Sequence, residues 1–240
     1  MRFTNSPLAV ADIGDYAPLG TVIHEHVTPI DHQYLYPLDL SAGRTRYTVY
    51  APFQGHIVMI QTRPASAGSV DYRITFEGSC TYWVIYDLVT ALDPAIVTAV
   101  GGALASGTAS VRIAVAPNQI IGKVGGQSLD LGVYNSELLL PGLLVAADYA
   151  YEPWKIHTDD PLNYFDEPLK TQLLARNRRT IAPRGGKIDY DLDGTARGTW
   201  FLAGTNGYQG LSPFSYWTGH LSLTYDSYNP SLLIFFHGIV

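Results

Sequence analysis

Short β-rich runs separated by turn residues constrain the fold of this chain more than any other feature. The runs between positions 47 and 134 are rich in Val, Ile, Tyr and Thr, and they cover residues 47–51, 56–61, 71–76, 82–86, 111–115 and 129–134. Runs of this length and composition, bounded by Gly and Pro, are typical of strands. The first two flank Pro52 and Gly55, which suit the early and final positions of a β-turn. The sequence therefore predicts a mainly β fold.

The β pattern returns near the C-terminus, where it predicts strands at residues 187–192, 198–202, 220–225 and 232–237. The first 45 residues are punctuated by Pro and Gly and show little periodicity, which is typical of an extended arm. We expect an N-terminal arm at 1–45, a β domain at 46–150 and a β-rich C-terminal region at 151–240 packed on that domain.

Two segments are predicted to contain short helices. Within residues 84–100, apolar side chains from Leu88 to Ile96 recur at helical spacing, and Pro94 would begin a new turn. Residues 167–176 carry leucines on one face, with Pro168 suited to the first turn. Few and short helices complete the predicted fold class.

Charge and hydropathy exclude two classes of protein. A net charge of −6 argues against a nucleic-acid surface, which needs clustered Lys and Arg. No apolar run reaches the roughly 18 residues of a membrane-spanning helix. Residues 1–20 lack the basic start and apolar stretch of a signal peptide, whereas the low lysine content is compatible with an exported protein.

Several chemistries have no signature in the sequence. The single cysteine, Cys80, excludes an intrachain disulfide, and its neighbours predict a buried strand position. A serine-nucleophile elbow, a dinucleotide-binding fingerprint and a phosphate-binding loop are absent from the sequence. Nucleotide cofactors are therefore not expected.

The order of motifs between residues 20 and 135 resembles a known enzyme family. Residues 50–58 (YAPFQGHIV) match a strand–turn–strand motif, residues 71–76 match the next strand, and residues 115–122 resemble a later turn. Together these motifs resemble the lipoyl-like, duplicated hybrid motif barrel of lysostaphin-type zinc endopeptidases. The resemblance implies a barrel or sandwich, a zinc ion and peptidase-like hydrolysis.

The sequence departs from that family at the catalytic positions. Where the resemblance implies metal-binding or water-polarising histidines, this chain has Asp87, Ser128 and Asp130. Upstream, His24, His26, Asp31 and His32 form a dense group of imidazoles and carboxylates, which are the usual zinc donors. From the resemblance and this group we predict a zinc site formed by His26, His32 and Asp130, with Asp87 or His157 as the acid–base residue. The alternative for the histidines is a solvated arm that only adds polarity.

His157 and three aspartates have competing interpretations. Asp159 and Asp160 could orient the His157 ring for base catalysis, or the segment is a cap or turn that opens the next element at Asp160. Residues 189–193 resemble a calcium loop, but they lack its final Glu and its entering helix. A half-buried strand followed by an Asp193-Gly194 hairpin turn is the preferred interpretation.

Three functions remain open. The metal site predicts a metal-dependent hydrolase-like protein with an unknown substrate. Four aromatic residues precede His220: Tyr208, Phe214, Tyr216 and Trp217. They could form a platform for a small molecule, a peptide or a glycan, or they could fill a core or a subunit interface. The apolar segment 232–236 would be an exposed sheet edge unless paired, which predicts a structural or assembling subunit and a homo-oligomer.

Overall fold

The computed structural model describes residues 1–65, 68–212 and 215–238. The chain divides into two compact units, each built from non-contiguous segments. Unit 1 comprises Met1–Tyr16, Gln33–Val133 and Pro161–Arg178, and unit 2 comprises Ala17–His32, Tyr134–Asp160 and Arg179–Val240. Neither unit coincides with one of the three consecutive segments expected from the sequence.

The strands alternate with turns along the chain, and their bounds are β1 (Ile13–Ala17), β2 (Gln33–Pro37), β3 (Tyr47–Tyr50), β4 (Gly55–Pro64), β5 (Val70–Ser79), β6 (Tyr82–Val89), β7 (Ala91–Leu92), β8 (Thr108–Val115), β9 (Ile120–Val124), β10 (Leu129–Asn135), β11 (Thr158–Asp159), β12 (Gly198–Phe201), β13 (His220–Tyr225) and β14 (Leu233–His237). The α-helices are α1 (Pro94–Val100) and α2 (Leu169–Leu174), and short 3-10 helices lie at Val10–Asp12, Gly101–Ser106, Ala146–Tyr149, Pro153–His157, Pro161–Asn163 and Gly207–Gln209. The mainly β prediction is confirmed.

Unit 1 contains a larger sheet in the order β1-β2-β10-β6-β5-β4-β8 and a smaller sheet in the order β3-β9-β7. Within the described ranges, β1 and β8 end the larger sheet and β3 and β7 end the smaller one, so both are open. The turn between β3 and β4 needs Gly55, because a Cβ there would lie 2.6 Å from the Glu77 carbonyl oxygen and from the Phe53 ring.

The N-terminal segment is packed rather than extended into solvent. Phe3, Leu8, Ile13 and Tyr16 are fully buried in the core of unit 1. The arm expected at 1–45 is thus packed along this stretch, and isolated large side chains stabilise it without a regular periodicity.

The helix predicted within residues 84–100 is confirmed only at its end. Residues 82–89 form β6, which pairs with β5, and Leu88 has a positive φ of 65°. The helix begins at Pro94 after Asp93, whose carboxylate accepts a hydrogen bond from the Ala95 backbone nitrogen. Cys80 is exposed in the turn before β6, so its predicted burial is wrong.

Unit 2 contains the antiparallel sheet β12-β13-β14. Its core is formed by Leu19, Leu143, Tyr149, Ile188 and Tyr208. Residues 187–192 form no strand, although Ile188 and Tyr190 are buried as the alternation predicted. Asp191 instead accepts hydrogen bonds from the backbone nitrogens of Leu144 and Thr199. Throughout the described ranges, no helix is long and apolar enough to cross a membrane.

Candidate functional site

The upstream histidines lie in a tight turn of unit 2, not in an extended segment. The backbone amides of Ile23 and His26 each donate to the other residue's carbonyl oxygen, and His24 is exposed with a positive φ of 53°. The ring centroids of His26 and His32 are 5.8 Å apart, so the structure does bring these two imidazoles together.

A buried ion-pair network surrounds Asp31. The Lys155 Nζ lies 2.8 Å from Asp31 Oδ1 and 3.3 Å from Glu152 Oε2. The Tyr134 hydroxyl donates to Asp31 Oδ2 at 3.0 Å, and His32 Nδ1 lies 3.2 Å from Oδ1. Both carboxylate oxygens of Asp31 are thus hydrogen-bonded.

Lys155 is enclosed by the same part of unit 2. Its side chain is 7% exposed, and that of Asp31 is 4% exposed. The Lys155 ammonium also lies 4.0 Å from the centroid of the Tyr208 ring, a cation–π contact. Sequence reasoning missed Lys155, although its position between Trp154 and Ile156 is a signal of burial.

Burial and charge act in opposite directions on this pair. Burial would raise the pKa of Asp31, but the adjacent Lys155 ammonium and the contact with His32 hold it well below its ordinary value. Burial would lower the pKa of Lys155, but the charges of Asp31 and Glu152 raise it. Lys155 and Asp31 are therefore paired as an ammonium and a carboxylate.

His26 and His220 are held neutral. Burial lowers the pKa of His26 to about 3, and the nearby His32 and Lys155 act in the same direction. The His26 Nδ1 lies 2.9 Å from the Tyr216 hydroxyl. Burial lowers the pKa of His220 to about 4. The His220 ring packs 4.9 Å from Phe201 and 5.5 Å from Tyr208.

The aromatic residues before His220 mainly fill the interior of unit 2. Tyr208 is buried and packs 5.4 Å from Tyr216, which contacts Trp217 edge-on. These contacts match the core-filling interpretation. Phe214 lies outside the described residues.

The remaining predicted site residues have local partners. Asp130, in unit 1, is buried and accepts a hydrogen bond from the Ser128 hydroxyl. Asp87, also in unit 1, forms an ion pair with Arg73, whose Nε and Nη2 lie 2.7 and 2.5 Å from Asp87 Oδ2. His157, in unit 2, ends a 3-10 helix and donates from Nδ1 to the Leu138 carbonyl oxygen at 2.6 Å.

No three-ligand metal group is found in the described part of the chain. No group of three His, Cys, Asp or Glu side chains there has the arrangement needed to hold a metal ion. His26 and His32 are adjacent, but the carboxylate between them in sequence, Asp31, is engaged by Lys155. The zinc set of His26, His32 and Asp130 stays a prediction.

Comparisons with known proteins leave the family open. No protein-family model and no curated protein sequence matches this chain. Helicobacter pylori Csd3 in an orthorhombic crystal aligns with 69% of this chain at 15% identity and a TM-score of 0.41, and the same protein in a hexagonal crystal aligns with 74% at 14% identity and 0.41. These alignments span only 35% and 39% of the Csd3 chains.

A chain from the SpoIIQ–SpoIIIAH pore-forming complex aligns with 71% of this protein at 13% identity, a TM-score of 0.41 and 96% coverage of that chain. At this level of structural similarity we draw no conclusion about family or function from any of the three.

Proposed function

We propose that this chain is a non-catalytic, exported β protein that assembles with a second copy of itself through the sheet of unit 2. The observation that carries the proposal is the inverted polarity of β13. Its residues His220, Ser222 and Thr224 are buried, whereas Leu221 and Leu223 lie on the opposite, partly exposed side. A strand whose leucines face outward is expected to be covered by a partner.

The neighbouring strands extend this apolar surface. In the strand register Trp200 lies opposite Leu221, Phe235 opposite Leu223, and Leu233 opposite Tyr225. Directly paired residues of antiparallel strands share a face, so the side chains form one surface, which we call the outer face: Trp200, Leu221, Leu223, Tyr225, Leu233, Phe235 and His237. Trp200, Leu233 and Phe235 remain 50%, 52% and 60% exposed.

The edge of the same sheet favours a second copy as the partner. β14 ends the strand order in the described residues, and its sequence from Leu233 to His237 contains no Lys, Arg, Asp or Glu. Edge strands that stay unpaired usually carry charges or Pro. Antiparallel pairing of β14 with its symmetry copy would centre on Phe235 and extend the apolar surface across a two-fold axis.

The chemistry of the predicted catalytic residues supports a non-catalytic role. Asp87 is neutralised by Arg73, and His157 is engaged by a backbone carbonyl. Because Tyr208 is buried in the aromatic cluster, its ring face is not available to a glycan. The low lysine content supports the exported location.

Sedimentation velocity tests the assembly. We expect the wild type to sediment as a dimer, Phe235→Glu to sediment as a folded monomer, and the matched control Leu139→Glu to remain a dimer, since Leu139 is 61% exposed but is not on the outer face. A wild-type protein that stays monomeric up to its solubility limit, or a dimer that survives Phe235→Glu, contradicts the proposal.

A metal-dependent hydrolase is the second candidate, supported by the adjacency of His26 and His32. It predicts stoichiometric zinc in the protein after incubation with zinc salt and dialysis, and loss of that zinc in His26→Ala. Metal analysis that finds no bound zinc in the wild type removes this candidate while leaving the assembly proposal intact.

A further inference from the structure

A lysine amine and a carboxyl group are in contact inside unit 2, where bulk water is largely excluded. The Lys155 Nζ lies 2.8 Å from Asp31 Oδ1, and the two residues are separated by 124 positions in sequence. We propose that Lys155 and Asp31 condense to form an intramolecular amide bond, with Glu152 as the proton carrier. The bond would covalently close the chain between positions 31 and 155.

The surrounding groups suit each part of the condensation. Glu152 Oε2 lies 3.3 Å from Nζ, so it can accept a proton from the ammonium. The Tyr134 hydroxyl donates to Asp31 Oδ2, where negative charge would develop in a tetrahedral intermediate. His32 Nδ1 and Lys155 Nζ both contact Oδ1, the oxygen that would leave.

The step balances without any co-reactant. Glu152 takes one proton from the Lys155 ammonium and passes it to Asp31 Oδ1, which gives a neutral carboxyl group. The freed Nζ lone pair then forms a bond to the Asp31 Cγ, and the C=O π electrons move onto Oδ2, where the Tyr134 hydroxyl donates. Oδ1 takes a second proton from the attacking nitrogen, the C=O bond to Oδ2 re-forms, and the Cγ–Oδ1 bond breaks to release water. The amide nitrogen keeps one hydrogen, Glu152 returns to the carboxylate, and nothing is oxidised or reduced.

Two physical effects favour the amide over the ion pair. Contact between the reacting groups gives an intramolecular reaction an effective concentration that can reach about 10⁵–10⁸ M in well-oriented cases. A buried ion pair also carries a desolvation penalty, which a neutral amide avoids. Because the site is nearly closed to solvent, water released on condensation would not readily return to hydrolyse the bond.

A second lysine–aspartate pair of unit 2 provides a matched control. Lys187 Nζ lies 3.1 Å from Asp189 Oδ1, but the Lys187 side chain is 40% exposed. In water the ammonium and carboxylate forms are favoured, and hydrolysis opposes condensation. We therefore expect an amide at Lys155 and none at Lys187.

Intact-mass spectrometry of the purified, denatured full chain tests the proposal. We expect the wild type to be lighter than its sequence mass by one water molecule, and a protease digest to contain a branched peptide joining the segments around Asp31 and Lys155. A wild-type protein at full sequence mass, or a water loss located at another residue, overturns the proposal.

Conservative variants test the assigned roles. Lys155→Arg keeps the positive charge but removes the primary amine, so it should have the full sequence mass, whereas Lys187→Arg should still show the water loss. Glu152→Gln, at a partly exposed position, should fold and form the amide more slowly in a time course after synthesis. Water loss that persists in Lys155→Arg overturns the bond assignment, and unchanged kinetics in Glu152→Gln overturn the role of Glu152.

Discussion

Asp31 and Lys155 are joined by a 2.8 Å contact although they lie 124 positions apart in sequence, and neither side chain is substantially open to solvent. Their pairing connects the segment before β2 to the 3-10 helix at Pro153–His157, both within unit 2. Tyr134 and Glu152 complete the network from two further positions. Loss of one member therefore leaves buried polar groups without their partners.

Asp31→Ala should destabilise the protein by at least about 3 kcal/mol, because the variant loses the link to Lys155 and leaves the Lys155 ammonium buried and poorly compensated. Lys187→Ala removes a partly exposed ion pair and should cost less than about 1 kcal/mol. Urea denaturation at neutral pH measures both. An equal loss of unfolding free energy in the two variants would contradict the importance assigned to burial.

Stability should fall as the pH is lowered from about 6.5 towards 4. In the folded protein the pKa values of His26 and His220 are lowered to about 3 and about 4, chiefly by burial. The unfolded chain therefore binds protons in this window that the folded chain does not, which favours unfolding by at most about 1.4 kcal/mol per pH unit for each histidine. Above about pH 7.5 both imidazoles are neutral in either state, so their contribution is constant there.

The double variant His26→Gln/His220→Gln provides the readout for this pH dependence. Its urea midpoint should change less between pH 6.5 and pH 4.5 than that of the wild type. Substitution of the exposed His24 should leave the wild-type slope unchanged. An unaltered slope in the double variant would show that other groups control the acid response.

The strands could be predicted from the sequence because each β-rich run is short and ends at turn residues. β13 coincides with the predicted residues 220–225, and β14 begins one residue later than predicted. The helix predicted within residues 84–100 failed at its start, since the leucine spacing is also compatible with a strand and pairing with β5 decides between them. The burial of Phe3 and Leu8 had no periodic signal at all.

The candidate site could be predicted only in part. A dense group of histidines and acids drew attention to His26, Asp31 and His32, and the structure does place the two imidazole rings 5.8 Å apart. The central contact of Asp31 is instead with Lys155, and a pair so distant in sequence leaves no local pattern. The outward orientation of the β13 leucines could not be predicted either, because alternation indicates two faces but not which one is buried.

Asp93→Ala should destabilise the protein by about 1 kcal/mol, because the Asp93 carboxylate caps α1 through a 2.9 Å hydrogen bond from the Ala95 backbone nitrogen. Thr98→Ala is the matched control, since Thr98 is exposed in the same helix and alanine has the higher helix propensity. The midpoint temperature of thermal unfolding should be lower for Asp93→Ala than for the wild type, and equal or higher for Thr98→Ala. The reverse order would contradict the capping role.

Gly55→Ala should destabilise unit 1 by about 1–3 kcal/mol, the usual cost of forcing an added methyl group into a packed site. Its Cβ would lie 2.6 Å from both the Glu77 carbonyl oxygen and the Phe53 ring, so the turn between β3 and β4 would have to shift. Gly102→Ala is the control: no atom lies within 4 Å of its added Cβ, and the substitution restricts the unfolded chain, so stability should stay constant or rise by up to about 1 kcal/mol. Urea denaturation measures the free energy of unfolding of both variants. If Gly55→Ala leaves that free energy unchanged, the turn relaxes freely and the close approach does not require glycine there.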